Sequence, residues 1–153
     1  MTCSPASIAQ TVTSNFQGKE SDWHGFKSVE ITVNDKPVTV VLPEKSARAD
    51  KHPWVWHGEF FGHRPQPDIE LLKRGFHIVY TRVPDMLGCP EAVAHWDKVY
   101  AALTSKHHFA PKVALGGEIE LIAKSGIGHH PHGLEDSTPI VEFIERNVMK
   151  QFS

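Results

Sequence analysis

The chain has 153 residues, 40% hydrophobic and 22% charged, enough for one domain that buries a core without disulfide or metal staples. A formal charge of −2 gives no electrostatic reason to bind nucleic acid or an anionic membrane, and no apolar run approaches the length of a membrane span. The two cysteines, Cys3 and Cys89, make no disulfide framework, and 11 histidines promise pH-dependent behaviour near neutrality.

Residues 1–24 are polar and aperiodic and are left as an irregular segment. They contain no basic region followed by an apolar run, so no secretory signal is expected and the default location is cytoplasmic. Residues 25–153 then read as a single domain. "SVEITV" and "VTVVLP" alternate on a period of two around "NDKP", where Asn34 and Asp35 supply turn chemistry, which predicts a β-hairpin. "PWVWHGEF" predicts a strand with an aromatic centre. Trp54, Trp56, Phe60 and Phe61 are expected in the core and along a pocket wall.

Three helices are announced by proline at the first helical position, where its missing N–H costs nothing. Pro67 opens "PDIELLKR", with Asp68 and Glu70 in the first turn and Gly75 as the stop. Pro90 opens "PEAVAHWDKVYAALTS", whose apolar positions 92, 93, 96, 99, 100 and 103 share a face. Pro139 opens "PIVEFIERNVMKQF" with Thr138 as N-cap. "FHIVYTRV" and "EIELIAKS" lie between them as strands, and His107 and His108 are placed in solvent. Strands alternating with helices predict an α/β fold with a mostly parallel sheet of about five strands, an N-terminal hairpin and three main helices. In such sheets ligands bind beyond the carboxyl ends of the strands, where "HGEFFGH", "PDMLGCP" and "SGIGHHPHGLED" would meet.

These segments carry a resemblance. "PWVWHGEFFGHRPQPDIELLKRGFHIVY", "DMLGCPEAVAHWDKVYAAL" and "GGEIELIAKSGIGHHPHGLEDSTPIVEFI" resemble parts of α/β-hydrolases of the dienelactone-hydrolase and prolyl-oligopeptidase-like esterase type, across residues 22–150. The resemblance implies a reduced α/β-hydrolase-like three-layer fold. It assigns His129 as the general base, and His57, Gly58 and Glu59 to the loop that supplies an oxyanion-hole N–H. The G-x-S-x-G nucleophile elbow and the triad acid of the family are missing, as if the chain were internally truncated.

Three nucleophiles remain open. Cys89 stands at the N-cap of the Pro90 helix, where a helix terminus and an imidazolium would activate a thiol, although its first reading is a small residue that simply caps the helix. Ser125 lies four residues before His129. A metal-bound water would need His129, His130 and His132 with Glu135 or Asp136. Imidazoles with carboxylates suit zinc, and calcium would take the carboxylates and carbonyls. "HPHGLED" is similar to the HxHxDH of metallo-β-lactamase-type lactonases but lacks its Asp-His pair. Glu59, Asp85 and Asp136 are the candidate orienters of His129.

Two functions follow as expectations. One is a small hydrolase acting on carboxylic ester or lactone substrates. The other is a catalytically inert hydrolase remnant that binds a small acyl ligand. In either case, the missing α/β units predict an uncovered apolar surface and a homodimer or larger homo-oligomer.

Overall fold

The structure is a computed structural model that describes residues 16–57, 61–82, 89–114 and 136–153. Five strands run Lys19–Trp23 (β1), Phe26–Val33 (β2), Lys36–Val41 (β3), Trp54–His57 (β4) and His77–Thr81 (β5). The helices are Gln66–Lys73 (α1), Pro90–Lys106 (α2) and Thr138–Met149 (α3), the last continuing into a short 3-10 turn, Lys150–Phe152.

The sheet order β1-β2-β3-β5-β4 corrects the predicted mostly parallel, hydrolase-like sheet. β1 with β2, β2 with β3 and β3 with β5 all pair antiparallel, and β4 with β5 is the one parallel pair among the described strands. The physical reason lies at β3. The second strand of the hairpin inserts directly beside β5, with Val41 opposite Ile78 and Val38 opposite Thr81, so the meander extends into the sheet. Among the described elements, only the step from β4 through α1 to β5 is the β–α–β crossover that strand–helix alternation implies. The predicted strand "EIELIAKS" lies outside the described residues.

A second correction concerns the segment left as irregular. Lys19–Trp23 is strand β1, turned onto β2 through His24 and Gly25, both at positive φ (52° and 85°), with Trp23 opposite Phe26. Such a two-residue turn matches the right-handed twist of the strands it joins. β1 is a sheet edge and hides little, so "KESDW" carries almost no apolar alternation, and its charges discourage further pairing along that edge. The β2–β3 turn is of the same kind: Asn34 (φ 50°) and Asp35 (φ 60°) close it with Val33 opposite Lys36.

Alternation divides the core between two faces. Trp54, Trp56, Val79, Val29, Ile31, Val38 and Val40 pack with Val99 and Leu103 of α2. Val55, Ile78 and Val41 pack on the other side with Leu71 and Leu72 of α1 and Val141 and Val148 of α3. The buried stripe of α2 is Ala92, His95, Val99 and Leu103. Val93, expected on the apolar face, is 43% exposed. α3 begins one residue earlier than Thr138 as N-cap requires: Ser137 is the N-cap, and Asp136 Oδ1 accepts the Thr138 N–H at 2.9 Å.

Trp54 is fully buried, and its indole N–H donates to the Ala110 carbonyl at 2.8 Å, which ties the segment after α2 to β4. Trp54→Phe leaves that carbonyl unpaired and removes ring volume. An expected loss of about 2 kcal/mol in unfolding free energy would appear as a lower urea midpoint at unchanged slope.

Candidate active site at the carboxyl ends of β4 and β5

β4 ends on His57. Trp54, Val55 and Trp56 are buried and His57 is the first residue of the strand with partial exposure, on the α1 side of the sheet. α1 begins nine residues later. Its Asp68, in the first turn, turns inward and is 7% exposed, while Leu71 and Leu72 anchor the helix to the core. The result is a contact of 2.9 Å between His57 Nε2 and Asp68 Oδ1. The imidazole retains 28% of its side-chain exposure and the carboxyl group 10%. An ionised carboxylate only accepts, so Nε2 carries the shared proton and Nδ1 is the basic nitrogen of the neutral ring. Asp68 is held near the positive end of α1, a favourable place for a carboxylate.

An aromatic column stands beside the pair. Tyr80 is the register partner of His57 on β5. The Phe61 ring stacks on Tyr80 at 5.0 Å and 12° and lies 6.3 Å from the His57 ring; Trp23 stacks on Phe61 at 5.1 Å and 19°. Trp54 and Trp56 point to the opposite face, so the predicted aromatic wall divides between core (Trp54, Trp56) and site (Phe61). Phe60 lies outside the described residues.

The remaining sequence candidates separate. His57 was expected to frame an oxyanion hole with Gly58 and Glu59. Its side chain contacts the Asp68 carboxylate, and Gly58 and Glu59 lie outside the described residues. So do Ser125, His129, His130, His132, Glu135 and Asp85. Cys89 is the N-cap of α2 and half-buried. Its side chain hydrogen-bonds Glu91, and this contact, followed by the helix N–H of Glu91 itself, holds that carboxyl group below its ordinary range. The thiol makes no capping hydrogen bond to the helix N–H groups.

Asp136 is exposed and precedes the N-cap of α3; its hydrogen bonds from Thr138 hold its carboxyl below the usual range. It also lines a groove of about 350 Å³ between α1 and α3, with Gln66, Glu70, Arg74 and Thr138. Arg74 there is paired with Glu145 at 2.5 Å. Among the described residues, no group of three or more His, Cys, Asp or Glu side chains is placed to hold a metal ion.

The residues missed by sequence reasoning are Asp68, His52, His77 and His95. Asp68 reads as an ordinary first-turn acid. The usable signal was its pairing with a histidine at the end of the preceding strand. His95 sits at the i+3 position from Ala92 and the i−4 position from Val99, within the buried stripe, and its Nε2 meets Thr81 Oγ1 at 2.8 Å. Burial, reinforced by Lys36 and Lys98, pushes the His95 imidazole below its ordinary value. His107, expected in solvent, stacks on Phe16 at 4.3 Å, and burial lowers it as well.

No helix of the described residues is long and apolar enough to cross a membrane. No family model matches the chain, and no curated protein or solved structure matches it at significance.

Proposed function

We propose that the protein is a small hydrolase of carboxylic esters or lactones in which His57, oriented by Asp68, is the general base. The observation that carries the reading is the 2.9 Å contact between a half-open imidazole and a nearly buried carboxylate at the carboxyl end of a parallel strand pair. A carboxylate so placed fixes the tautomer and stabilises the imidazolium that forms when the ring takes a proton. Water attacks the carbonyl carbon as its proton passes to Nδ1. The tetrahedral intermediate collapses with cleavage of the C–O bond, and the proton returns from Nδ1 to the departing alkoxide. Phe61 and Tyr80 supply an apolar flank for the acyl chain. The ester reading also suits a site with one acid–base group and a buried negative charge, which disfavours phosphate esters.

The test is turnover of a chromogenic short-chain ester and of a γ-lactone, in the intact chain and in His57→Gln. Activity dependent on His57 that survives both a chelator and a thiol-alkylating reagent supports water activated by the pair. Loss on alkylation moves the nucleophile to Cys89, and loss on reaction with a serine-directed phosphonate moves it to a serine, Ser125 first. Loss on chelation with recovery on added zinc or calcium points to a metal held by His129, His130, His132 and Asp136. No turnover of either substrate leaves a binding protein for a small acyl ligand.

A further inference from the structure

The opposite end of β4 and β5 holds a second pair of imidazoles that the proposed chemistry does not use. Residues 43–52 connect β3 to β4 there. Most of this strap is exposed, and a small set of contacts fastens it. The Ala47 N–H donates to the Gly75 carbonyl at 3.0 Å, and the Arg48 guanidinium lies 4.5 Å from the Phe152 ring centroid. The His52 N–H donates to the His108 carbonyl at 2.8 Å, and the Ala110 N–H donates to the His52 carbonyl at 2.9 Å.

The side chain of His52 turns inward and is 2% exposed; His77, the first residue of β5, is 3% exposed. Their ring centroids are 4.7 Å apart, and both rings meet Phe109 edge-on, at 5.8 and 5.0 Å. The Ser46 hydroxyl donates its proton to the Arg48 carbonyl at 2.7 Å, so its oxygen accepts from His52 Nδ1 at 3.0 Å and the His52 tautomer is fixed. His77 Nδ1 is buried with no hydrogen-bond partner. A proton on either ring therefore places a charge against the other imidazole and the Phe109 ring.

The charged and titratable groups that face the pair do not offset this. From the strap come Asp50, already paired with Arg48 at 3.0 Å, and the Arg48 carbonyl; from the end of α2 comes His108, which opposes a charge on His52; from the start of β4 comes only the Pro53 carbonyl. Burial dominates at both rings. It pushes His52 below its ordinary value and, with His52 adding to it, takes His77 down to about 3.

We propose that the His52–His77 contact is an acid-sensitive latch: protonation of the pair releases residues 43–52 from the amino ends of β4 and β5 while the β1–β2–β3 meander stays paired. Local opening of this kind needs a segment with few apolar contacts next to one with many. The strap and the β2–β3 hairpin meet that description. The sign follows from linkage. Opened, His77 titrates near its ordinary 6.5; closed, it titrates near 3; so closing is fully favoured above pH 6.5 and is weakened progressively as the pH falls towards 3.

Amide hydrogen exchange on the full chain, corrected for intrinsic rates, tests the latch. Between pH 7.5 and pH 5.0 the protection of the Ala47, His52 and Ala110 amides should fall about 30-fold further than that of the β2–β3 ladder. In His77→Phe, which fills the same space without a titrating group, that difference should shrink, leaving only the part that His52 carries. Equal loss in strap and hairpin, or an undiminished difference in His77→Phe, overturns the proposal. The ring-carbon chemical shifts of His77 give an independent reading in the unaltered chain, whether or not the variant folds. A protonated His77 ring at pH 5.0 with the strap amides still protected overturns it equally. A neutral ring in the protected state supports it.

Discussion

Gly75→Ala should lower the unfolding free energy by on the order of 3 kcal/mol, against about 1 kcal/mol for Gly25→Ala. Both glycines sit at positive φ, 87° and 85°, where an added Cβ is strained. Their surroundings differ. A Cβ at Gly25 meets nothing within 4 Å, whereas one at Gly75 would lie 2.3 Å from the Ala47 nitrogen and 2.8 Å from the Lys45 oxygen, both backbone atoms. The strap would have to lift, breaking the Ala47 N–H to Gly75 carbonyl bond. Gly75 also closes α1: its N–H reaches the Leu72 carbonyl at 3.0 Å and the Phe76 N–H reaches that of Leu71 at 3.0 Å, the paired bonds of a Schellman motif. Urea midpoints of the two variants, compared at unchanged slope, measure the difference. Equal losses would mean that the strap moves aside without cost.

Ester or lactone turnover, if His57 is the base, should fall on the order of 100-fold in both His57→Gln and Asp68→Asn. The asparagine variant is the more informative. Its amide would donate to Nε2 and shift the imidazole proton to Nδ1, leaving the ring in place and removing the basic nitrogen from the substrate side. The loss should therefore fall on kcat with KM little changed, and circular dichroism should show a folded chain. His108→Ala, at an exposed position, should leave turnover within about twofold. A large loss in His129→Ala, with His57→Gln active, would instead give the base to the glycine-flanked loop.

Much of the local structure was legible without coordinates. The Asn34–Asp35 turn and the strands on either side of it were readable from period-two alternation and two residues that tolerate positive φ. The starts of the helices near Pro67, Pro90 and Pro139, and the stop at Gly75, were readable because proline and glycine constrain the backbone wherever they stand. β1 escaped because an exposed edge strand needs no apolar face.

What the tertiary structure alone decided is which elements are neighbours. A strand's alternation states that Ile78 and Tyr80 share one face and His77 and Val79 the other; it does not state that β5 lies between β3 and β4. The predicted parallel sheet failed at that step, since a helix between two strands constrains only that pair. The same limit applies to the site. His57, Asp68, His52 and His77 are each ordinary residues in sequence, and their chemistry arises from contacts across gaps of 11 and 25 positions that depend on how α1 and the strap fold back over the sheet. Burial and pairing set what a histidine does, and both are properties of the packed chain.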